Sequence, residues 1–209
     1  MQNVIIVGAS GFGREVLATI NTINKASSTW NVIGFLDDNL CALDGFDLDL
    51  KILGTIRDWE VKGDEQYVLA IAAPGTKEKI VSGLKAKGAR FASIIDPSVT
   101  IGDRTRIGEG FVAFAQADIS VDCRIGDFVF LNSLAAIGHD AVIGDYCTFG
   151  PKVCISGATN MGKCVNVGAL ASTYPGVEVG EYSTIGMNSA VIKRVKPETT
   201  VIGVPAKAL

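Results

Sequence analysis

A six-residue repeat runs through the second half of this chain and never changes phase. Every sixth residue from Ile95 to Val191 belongs to it, and 15 of these 17 positions carry a larger apolar side chain, the exceptions being Ala113 and Thr173. The next residue is glycine in ten repeats, and the side chain four residues after the repeated position is nearly always small. The constant phase indicates that no long loop interrupts residues 95 to 191.

This period excludes the ordinary secondary structures as the main element of the region. An α-helix repeats every 3.6 residues and a half-buried strand every two. A coil of three six-residue flats joined by turns does fit, with the large and small side chains pointing inward. We expect the glycines to adopt a backbone conformation that a residue with a Cβ reaches only with strain. The predicted fold is a left-handed parallel β-helix, with Cys123 and Cys147 in its core.

The first 90 or so residues alternate between strand and helix patterns. "NVIIVGASGFGREVLATINTI" predicts a strand, a glycine-rich turn and a helix, and "WNVIGFLDD" a second strand. "EQYVLAIAAPG" predicts a third strand, "TKEKIVSGLKAKG" a helix closed by Gly88, and "RFASII" a last strand. We therefore predict a small Rossmann-like α/β domain over residues 1–92, with a parallel sheet covered by helices, and a β-helix domain with a C-terminal tail over residues 93–209.

The turn after the first strand resembles a dinucleotide-binding fingerprint. It contains Gly8, Gly11 and Gly13, and Asp37 and Asp38 end the second strand, where ribose hydroxyls are often bound. The spacing is G-x-x-G-x-G, however, and the region holds one mononucleotide-sized half only, which argues against a nicotinamide cofactor. Two interpretations stay open: the glycines allow close helix–strand packing, or backbone N–H groups hold a nucleotide-linked compound.

The composition of the chain excludes several classes of function. A net charge of -3 gives no general attraction for nucleic acid or anionic membranes. The five cysteines form no CxxC pair and there is one histidine, so we expect neither a metal site nor a disulfide framework. A β-helix carbonic anhydrase, which needs three histidines around zinc, is excluded for the same reason. Without a signal-peptide pattern or a long apolar run, we expect a cytoplasmic protein.

Four segments together resemble a family of bacterial sugar acetyltransferases: "VGASGFG", "FLDD", "LNSLAAIGHDAVIG" and "GVPAK". The family includes sialic acid O-acetyltransferases and N-acetyltransferases of nucleotide-linked 4-amino-4,6-dideoxy sugars, and the resemblance covers essentially the whole chain. It implies direct acetyl transfer from acetyl-CoA to the 4-amino group of such a sugar by a homotrimer. It also implies that His139 is the general base, that Asp140 supports it and that Asn132 lies by the acceptor amine.

The spacing of the repeat adds a second feature to the same site. Gly157 follows His139 by 18 residues and occupies the same slot of its hexapeptide. Successive coils of a parallel β-helix are about 4.8 Å apart, so we expect the two residues to stack. A residue without a side chain lets a thioester oxygen approach its backbone N–H. The resemblance implies a backbone amide in this role, which makes Gly157 the candidate oxyanion donor.

The glycine-rich turn, the basic C-terminal segment and the resemblance together predict further contacts with both substrates. The candidate acceptor-binding residues are Gly8, Ser10, Gly11, Gly13, Asp37, Asp38, Ala73 and Asn132. The candidate coenzyme A-binding residues are Thr148, Gly157, Ala169, Met187, Lys193, Pro205 and Lys207. This chain departs from many relatives at Phe12 and Thr148, where they have histidines. Two alternatives remain: O-acetylation of a sialic acid-type sugar, and a non-catalytic β-helix scaffold or binding module.

Overall fold

The computed structural model describes residues 1–209 and begins with a four-stranded parallel sheet. Its strands are β1 (Gln2–Val7), β2 (Trp30–Leu36), β3 (Ile52–Gly54) and β4 (Gln66–Leu69), in the order β3-β2-β1-β4. Helices α1 (Gly11–Ala26) and α2 (Pro74–Ala86) connect to them. The parallel sheet with helices confirms the predicted α/β class. The short edge strand β3 was not predicted, because "KILG" is too brief to show a period.

The boundaries of α2 differ slightly from the prediction. The helix begins at Pro74, two residues before the predicted start, because proline is suited to the first helical turn, where its missing N–H has no partner to lose. The chain leaves the helix at Gly88, whose φ of 91° lies in the left-handed region that favours glycine. No helix in the chain has the length and apolarity needed to cross a membrane.

The predicted last strand, "RFASII", is divided between the two sheets. Its first residues pair with β4, because the Tyr67 N–H donates to the Arg90 carbonyl and the Ala92 N–H donates to the Tyr67 carbonyl. Phe91 forms only an isolated bridge with Tyr67, whereas β5 (Ile94–Ile95) pairs with Val112 and Ala113 of the β-helix. The assignment of this strand to the first sheet therefore holds for Phe91, whereas Ile94 and Ile95 belong to the β-helix. Ile95 already belongs to the six-residue repeat, so its inward side chain packs with the β-helix core.

From Ile94 onward the chain forms the predicted three-sided parallel β-helix. Strands 18 residues apart pair in register within each side, as Ala136 does with Cys154. The first sheet contains β5, β8 (Val112–Ala113), β11 (Phe130–Leu131), β14 (Thr148–Phe149), β17 (Asn166–Val167), β20 (Thr184–Ile185), β22 (Thr200–Ile202) and β23 (Lys207–Ala208), the last pair being antiparallel. The second contains β6 (Thr100–Ile101), β9 (Asp118–Ile119), β12 (Ala136–Ile137), β15 (Cys154–Ile155), β18 (Ser172–Thr173) and β21 (Ala190–Val191). The third contains β7 (Arg106–Ile107), β10 (Arg124–Ile125), β13 (Val142–Ile143), β16 (Asn160–Met161) and β19 (Glu178–Val179).

The core of the β-helix is a continuous column of inward side chains. Twenty-six buried hydrophobic residues form one cluster, from Phe111 to Val201. Cys123 and Cys147 are both fully buried in it, as predicted from their place in the repeat. The α/β part has two smaller clusters, one on each face of its sheet, and both include residues of the β-helix. The two parts of the chain therefore share their packing.

The predicted reason for the repeated glycines was wrong. The residues with positive φ lie three positions after the repeated apolar residue and are mostly not glycine; Asp122 (61°) and Asp140 (58°) are examples. The glycines directly after the apolar residue are needed for a different reason. A Cβ on Gly138 would lie 2.5 Å from the backbone nitrogen of Gly157, so any side chain there would collide with the next coil. Close stacking, and not the backbone angle, selects glycine.

Candidate active site

The only histidine lies on an exposed corner of the β-helix between β12 and β13. The side chains of His139 and Asp140 are 64% and 61% exposed, and Nδ1 lies 2.7 Å from Asp140 Oδ2. A carboxylate at Nδ1 favours the tautomer that carries its proton there, which leaves Nε2 as a proton acceptor. The backbone of Asp140 is left-handed, with a φ of 58°, a conformation that aspartate tolerates better than most residues.

Gly157 lies directly beside this imidazole on the next coil. A Cβ built on Gly157 would be 2.6 Å from His139 Nε2, so the ring occupies the space that a side chain would fill. The stacking of the two coils is fixed by the N–H of Ala158, which donates to the His139 carbonyl at 2.7 Å. The Gly157 N–H donates to no group of the chain. A proton acceptor and a free N–H donor on adjacent coils are the arrangement that acyl transfer needs.

The glycines of the first turn serve packing in part. A Cβ on Gly8, whose φ is 106°, would lie 2.6 Å from the Ala70 carbonyl oxygen, and one on Gly13 would collide with the Gly8 carbonyl. Gly11 differs, because a Cβ there would meet only the end of the Arg14 side chain, at 3.9 Å. The close-packing interpretation therefore explains Gly8 and Gly13 but leaves Gly11 without a packing reason.

The N-terminus of α1 presents unpaired donors beside this turn. The N–H groups of Gly11, Phe12 and Gly13 donate to no group of the chain, and the exposed hydroxyl of Ser10 makes no capping bond. These donors, with the positive end of the helix dipole, can receive an anionic group. The neighbouring Ala9 N–H is already bound, since it donates to Asp37 Oδ2 at 2.7 Å.

Both carboxylates that were predicted to bind ribose accept hydrogen bonds from backbone N–H groups in this structure. Asp37 Oδ1 accepts from the Asn39 N–H at 2.9 Å, and Asp38 Oδ1 accepts from the Ile56 N–H at 2.9 Å. Asp38 also lines a cavity of about 500 Å³ against α2, with Arg57, Lys79 and Lys87 among its walls. Sequence reasoning missed these three cations, because Arg57 is far from the two lysines in the chain and none of them falls in a motif.

Two segments of the α/β part, the glycine-rich turn at the start of α1 and the turn before α2, contact neighbouring residues of the β-helix. Phe12 packs on Phe130 with ring centroids 4.2 Å apart. The Thr148 hydroxyl, which is buried, donates to the Ala72 carbonyl at 2.7 Å. Phe130 and Thr148 are direct partners in the first β-helix sheet, so both turns lie on one face. The predicted contact of Thr148 with coenzyme A stays a prediction. Within this chain its hydroxyl is hydrogen-bonded to the turn before α2.

Two more acceptor-site residues lie at this face. Ala73 is exposed and precedes α2 as its N-cap. Asn132 follows Phe130 by two residues, and its Oδ1 accepts from the Ser133 N–H at 2.7 Å. Its side-chain amide nitrogen donates to no group of the chain and is free for a ligand. The structure thus brings Asn132 to the same face as both turns.

The remaining coenzyme A candidates follow on later coils. Ala169 and Met187 occupy equivalent places one coil apart, and the Met187 side chain is 76% exposed. Lys193, Pro205 and Lys207 are exposed near the C-terminal end. None of these residues hydrogen-bonds to the His139 corner within one chain, so their shared role stays a prediction. The structure contains no cluster of three or more His, Cys, Asp or Glu side chains able to hold a metal ion.

Comparison with known proteins connects this architecture to one family. Residues 3–84 match the PglD N-terminal domain and residues 122–157 match the bacterial transferase hexapeptide repeats. The chain is 28% identical to the GDP-perosamine N-acetyltransferase of Escherichia coli O157:H7, over 82% of this chain and 78% of that protein.

Two solved structures have the same fold over the whole chain. The acetyltransferase domain of PglB from Neisseria gonorrhoeae FA1090, in complex with acetyl coenzyme A, superposes with a TM-score of 0.89 at 25% identity, covering 100% of this chain and 99% of that one. PerB from Caulobacter crescentus, in complex with CoA and GDP-perosamine, gives a TM-score of 0.90 at 24% identity, covering 100% and 98%. The chain therefore joins a PglD-type N-terminal domain to bacterial transferase hexapeptide repeats, and like these relatives it is an acetyltransferase.

Proposed function

We propose that this acetyltransferase transfers the acetyl group of acetyl-CoA directly to the 4-amino group of a nucleotide-linked 4-amino-4,6-dideoxy sugar, with His139 as general base. The observation that carries the proposal is the His139 corner, where Nδ1 faces Asp140 and Nε2 lies over Gly157. The relative from Escherichia coli is named for GDP-perosamine, and the Neisseria structure contains acetyl coenzyme A. Both names support the proposed pair of substrates.

The proposed reaction needs one proton acceptor and one oxyanion donor. The amine nitrogen attacks the thioester carbonyl carbon, a C–N bond forms, and the C–S bond breaks. His139 Nε2 accepts the proton lost by the amine, and the coenzyme A thiolate leaves and is protonated. The Gly157 N–H stabilises the negative carbonyl oxygen, and Asp140 holds the Nδ1 proton. General base catalysis contributes about a hundredfold to ten-thousandfold, and positioning about 7 to 11 kcal/mol.

The α/β part supplies the acceptor site in this proposal. The free N–H groups at the start of α1, beginning with Gly11, suit the phosphates of a nucleotide-linked sugar. Asn132 lies beside the face where both turns meet the β-helix, and in this proposal its free side-chain amide is next to the reacting amine. The cavity beside Asp38, with three cationic side chains in its walls, has room for the rest of the nucleotide. Coenzyme A then lies along the corner formed by Ala169 and Met187, which follows the same sheet as Asn132 on later coils.

A homotrimer is part of the proposal. Ala169 and Met187 lie on the corner that follows the first sheet, whereas His139 lies on the corner that follows the second, so a neighbouring subunit that brings two such corners together would complete the coenzyme A groove. The basic residues near the C-terminus suit the phosphates of coenzyme A. Analytical ultracentrifugation of the purified protein measures this directly, and a monomer that retains full activity would contradict it.

The test is coenzyme A release, followed with a thiol-trapping reagent. The acceptors are UDP-, dTDP- and GDP-linked 4-amino-4,6-dideoxy sugars and free sialic acid. Wild type is compared with His139→Ala and with the matched control Val121→Ala, which shortens the exposed side chain one coil before His139 in the same slot. We expect turnover of one nucleotide-linked amine, a loss of about a hundredfold or more in His139→Ala, and no change in the control.

Each alternative has its own outcome. Turnover of sialic acid alone would identify an O-acetyltransferase and reject the proposed acceptor while keeping the chemistry. An absence of turnover together with no binding of acetyl-CoA by calorimetry would favour a non-catalytic scaffold. Full activity in His139→Ala with a nucleotide-linked amine would keep the substrates and reject the base.

A further inference from the structure

Two buried hydroxyl groups interrupt the apolar core of the β-helix in one region. Thr173 is one of the two exceptions to the run of larger apolar residues, and Thr159 occupies an inward position that is small and usually apolar elsewhere. Their side chains are buried, at 5% and 0% exposure. A hydroxyl in a hydrophobic core is unfavourable unless it is hydrogen-bonded, so its presence here calls for a partner.

Both hydroxyls belong to a closed ring of hydrogen bonds around Ser156. The Ser156 N–H donates to Thr173 Oγ1 at 3.0 Å, and the Thr159 hydroxyl donates to the Ser156 carbonyl at 2.7 Å. The two threonine oxygens are 3.1 Å apart. Because Thr159 has a single hydroxyl proton and gives it to Ser156, Thr173 is the donor between the threonines. The hydrogen bonds all run in the same direction around the ring, and hydrogen bonds arranged in this way strengthen one another.

The ring replaces a regular part of the β-ladder. In neighbouring coils the equivalent N–H donates to a carbonyl of the next coil, as the Gly138 N–H does to Ile155 at 2.7 Å. At Ser156 the N–H binds a hydroxyl instead, and the Ser156 hydroxyl donates to the Thr173 carbonyl at 2.5 Å. As a result β15 and β18 pair through one residue pair only, Cys154 with Ser172. Other neighbouring strands of this sheet pair through two.

The ring holds the peptide group next to the candidate active site. The Ser156 carbonyl and the Gly157 N–H belong to one planar peptide group, so a hydrogen bond that fixes the carbonyl also fixes the direction of the N–H. A donor on the carbonyl also polarises the N–H. We infer that Thr159 and Thr173 are positioning residues that aim the Gly157 N–H at the oxygen of the acetyl thioester. This inference rests on the proposed function, in which that N–H stabilises the oxyanion.

The test removes each hydroxyl while keeping the shape of the side chain. Thr159→Val and Thr173→Val should lower kcat by about tenfold to a hundredfold, because complete removal of an oxyanion donor costs about a hundredfold to a thousandfold. KM for both substrates should stay within about twofold, and the shape of the pH profile should not change, because the base is intact. Thr159→Ser keeps the hydroxyl and should restore kcat.

A matched control removes a buried hydroxyl elsewhere in the same core. The Ser183 side chain is buried, lies at an equivalent inward position and donates to the Lys196 carbonyl at 2.8 Å. Ser183→Ala should leave kcat unchanged. If it lowers kcat as much as Thr159→Val does, the effect is general loss of core packing, and the inference is overturned.

A second measurement does not depend on activity. In ¹⁵N-labelled protein the amide proton of Gly157 should change its chemical shift in Thr159→Val and keep it in Ser183→Ala. An unchanged shift with unchanged kcat would overturn the inference. Wild-type protein that turns over no acceptor, with a Gly157 shift that still depends on Thr159, would reject the proposed function and retain the hydroxyl ring as the element that orients this peptide.

Discussion

Lys77 is a buried cation whose partners are neutral. It lies in the first turns of α2 with 2% of its surface exposed, and its Nζ donates to the carbonyl oxygens of Phe128 and Cys147, each at 2.9 Å. Removal from water lowers the pKa of the ammonium from 10.5 to about 7. Charging Lys77 therefore opposes the docking of α2 on the β-helix, and folding stability depends on pH through this group.

The sign and size of the effect follow from proton linkage. Between pH 7 and 10.5 the unfolded chain binds one more proton at Lys77 than the folded chain does, so stability rises with pH in this window. From about pH 6.5 to about pH 8.5 the rise is about 2 kcal/mol. Burial raises the pKa of Cys147 to about 12 and that of Cys164 to about 11, from 9.0. Their stabilising contributions are present below pH 9 and are lost as the pH rises above it, so they do not affect the comparison between about pH 6.5 and about pH 8.5.

The assay is urea unfolding followed by tryptophan fluorescence at several pH values in this window. Lys77→Met keeps an apolar side chain of similar length and should remove the rise. Lys85→Met is the matched control, because Lys85 lies near the other end of the same helix in a half-exposed pair with Glu109. Equal slopes in wild type and Lys77→Met, or an equal loss of slope in both variants, would refute the assignment of the pH dependence to Lys77.

Two further predictions follow from the stacking and burial in the β-helix. Gly157→Ala places a Cβ 2.6 Å from His139 Nε2, so the imidazole is displaced. In the coenzyme A release assay, kcat should fall by about a hundredfold or more. The melting temperature, measured by calorimetry, should change little. Cys41 and Cys154 are exposed and the other three thiols are buried, so Ellman titration of native protein at pH 8 should count at most two of the five, and all five in guanidinium.

The β-helix fold was predictable from the sequence because the six-residue repeat is local and regular. A period of six over Ile95 to Val191 has one architectural solution, and strand pairing 18 residues apart follows from it. The stacking of His139 on Gly157 was predictable for the same reason. The "RFASII" strand was assigned to one sheet only because its apolar pattern fits either sheet, although the pairing of Ile94 with Val112 has the 18-residue spacing of the repeat.

The contacts between the two parts of the chain were not predictable. Lys77 reads as one cation of a polar helix in "TKEKIVSGLKAKG", and nothing local shows that it is buried against Phe128. Thr148 was assigned to coenzyme A by resemblance, whereas its hydroxyl holds the Ala72 turn in this structure. Both residues face a surface that exists only after the α/β part has docked, so their environment depends on tertiary packing.

The polar residues that interrupt the six-residue repeat have a physical explanation. A perfect hexapeptide repeat makes successive coils equivalent, and equivalent coils present no unique peptide group to a ligand. Ser156 stands where glycine usually stands, and Thr173 where a larger apolar residue stands; the two share one ring of hydrogen bonds beside Gly157. The only histidine lies one coil away. Because apolar side chains would satisfy the core, polar exceptions that converge on one peptide are explained by the orientation of that peptide.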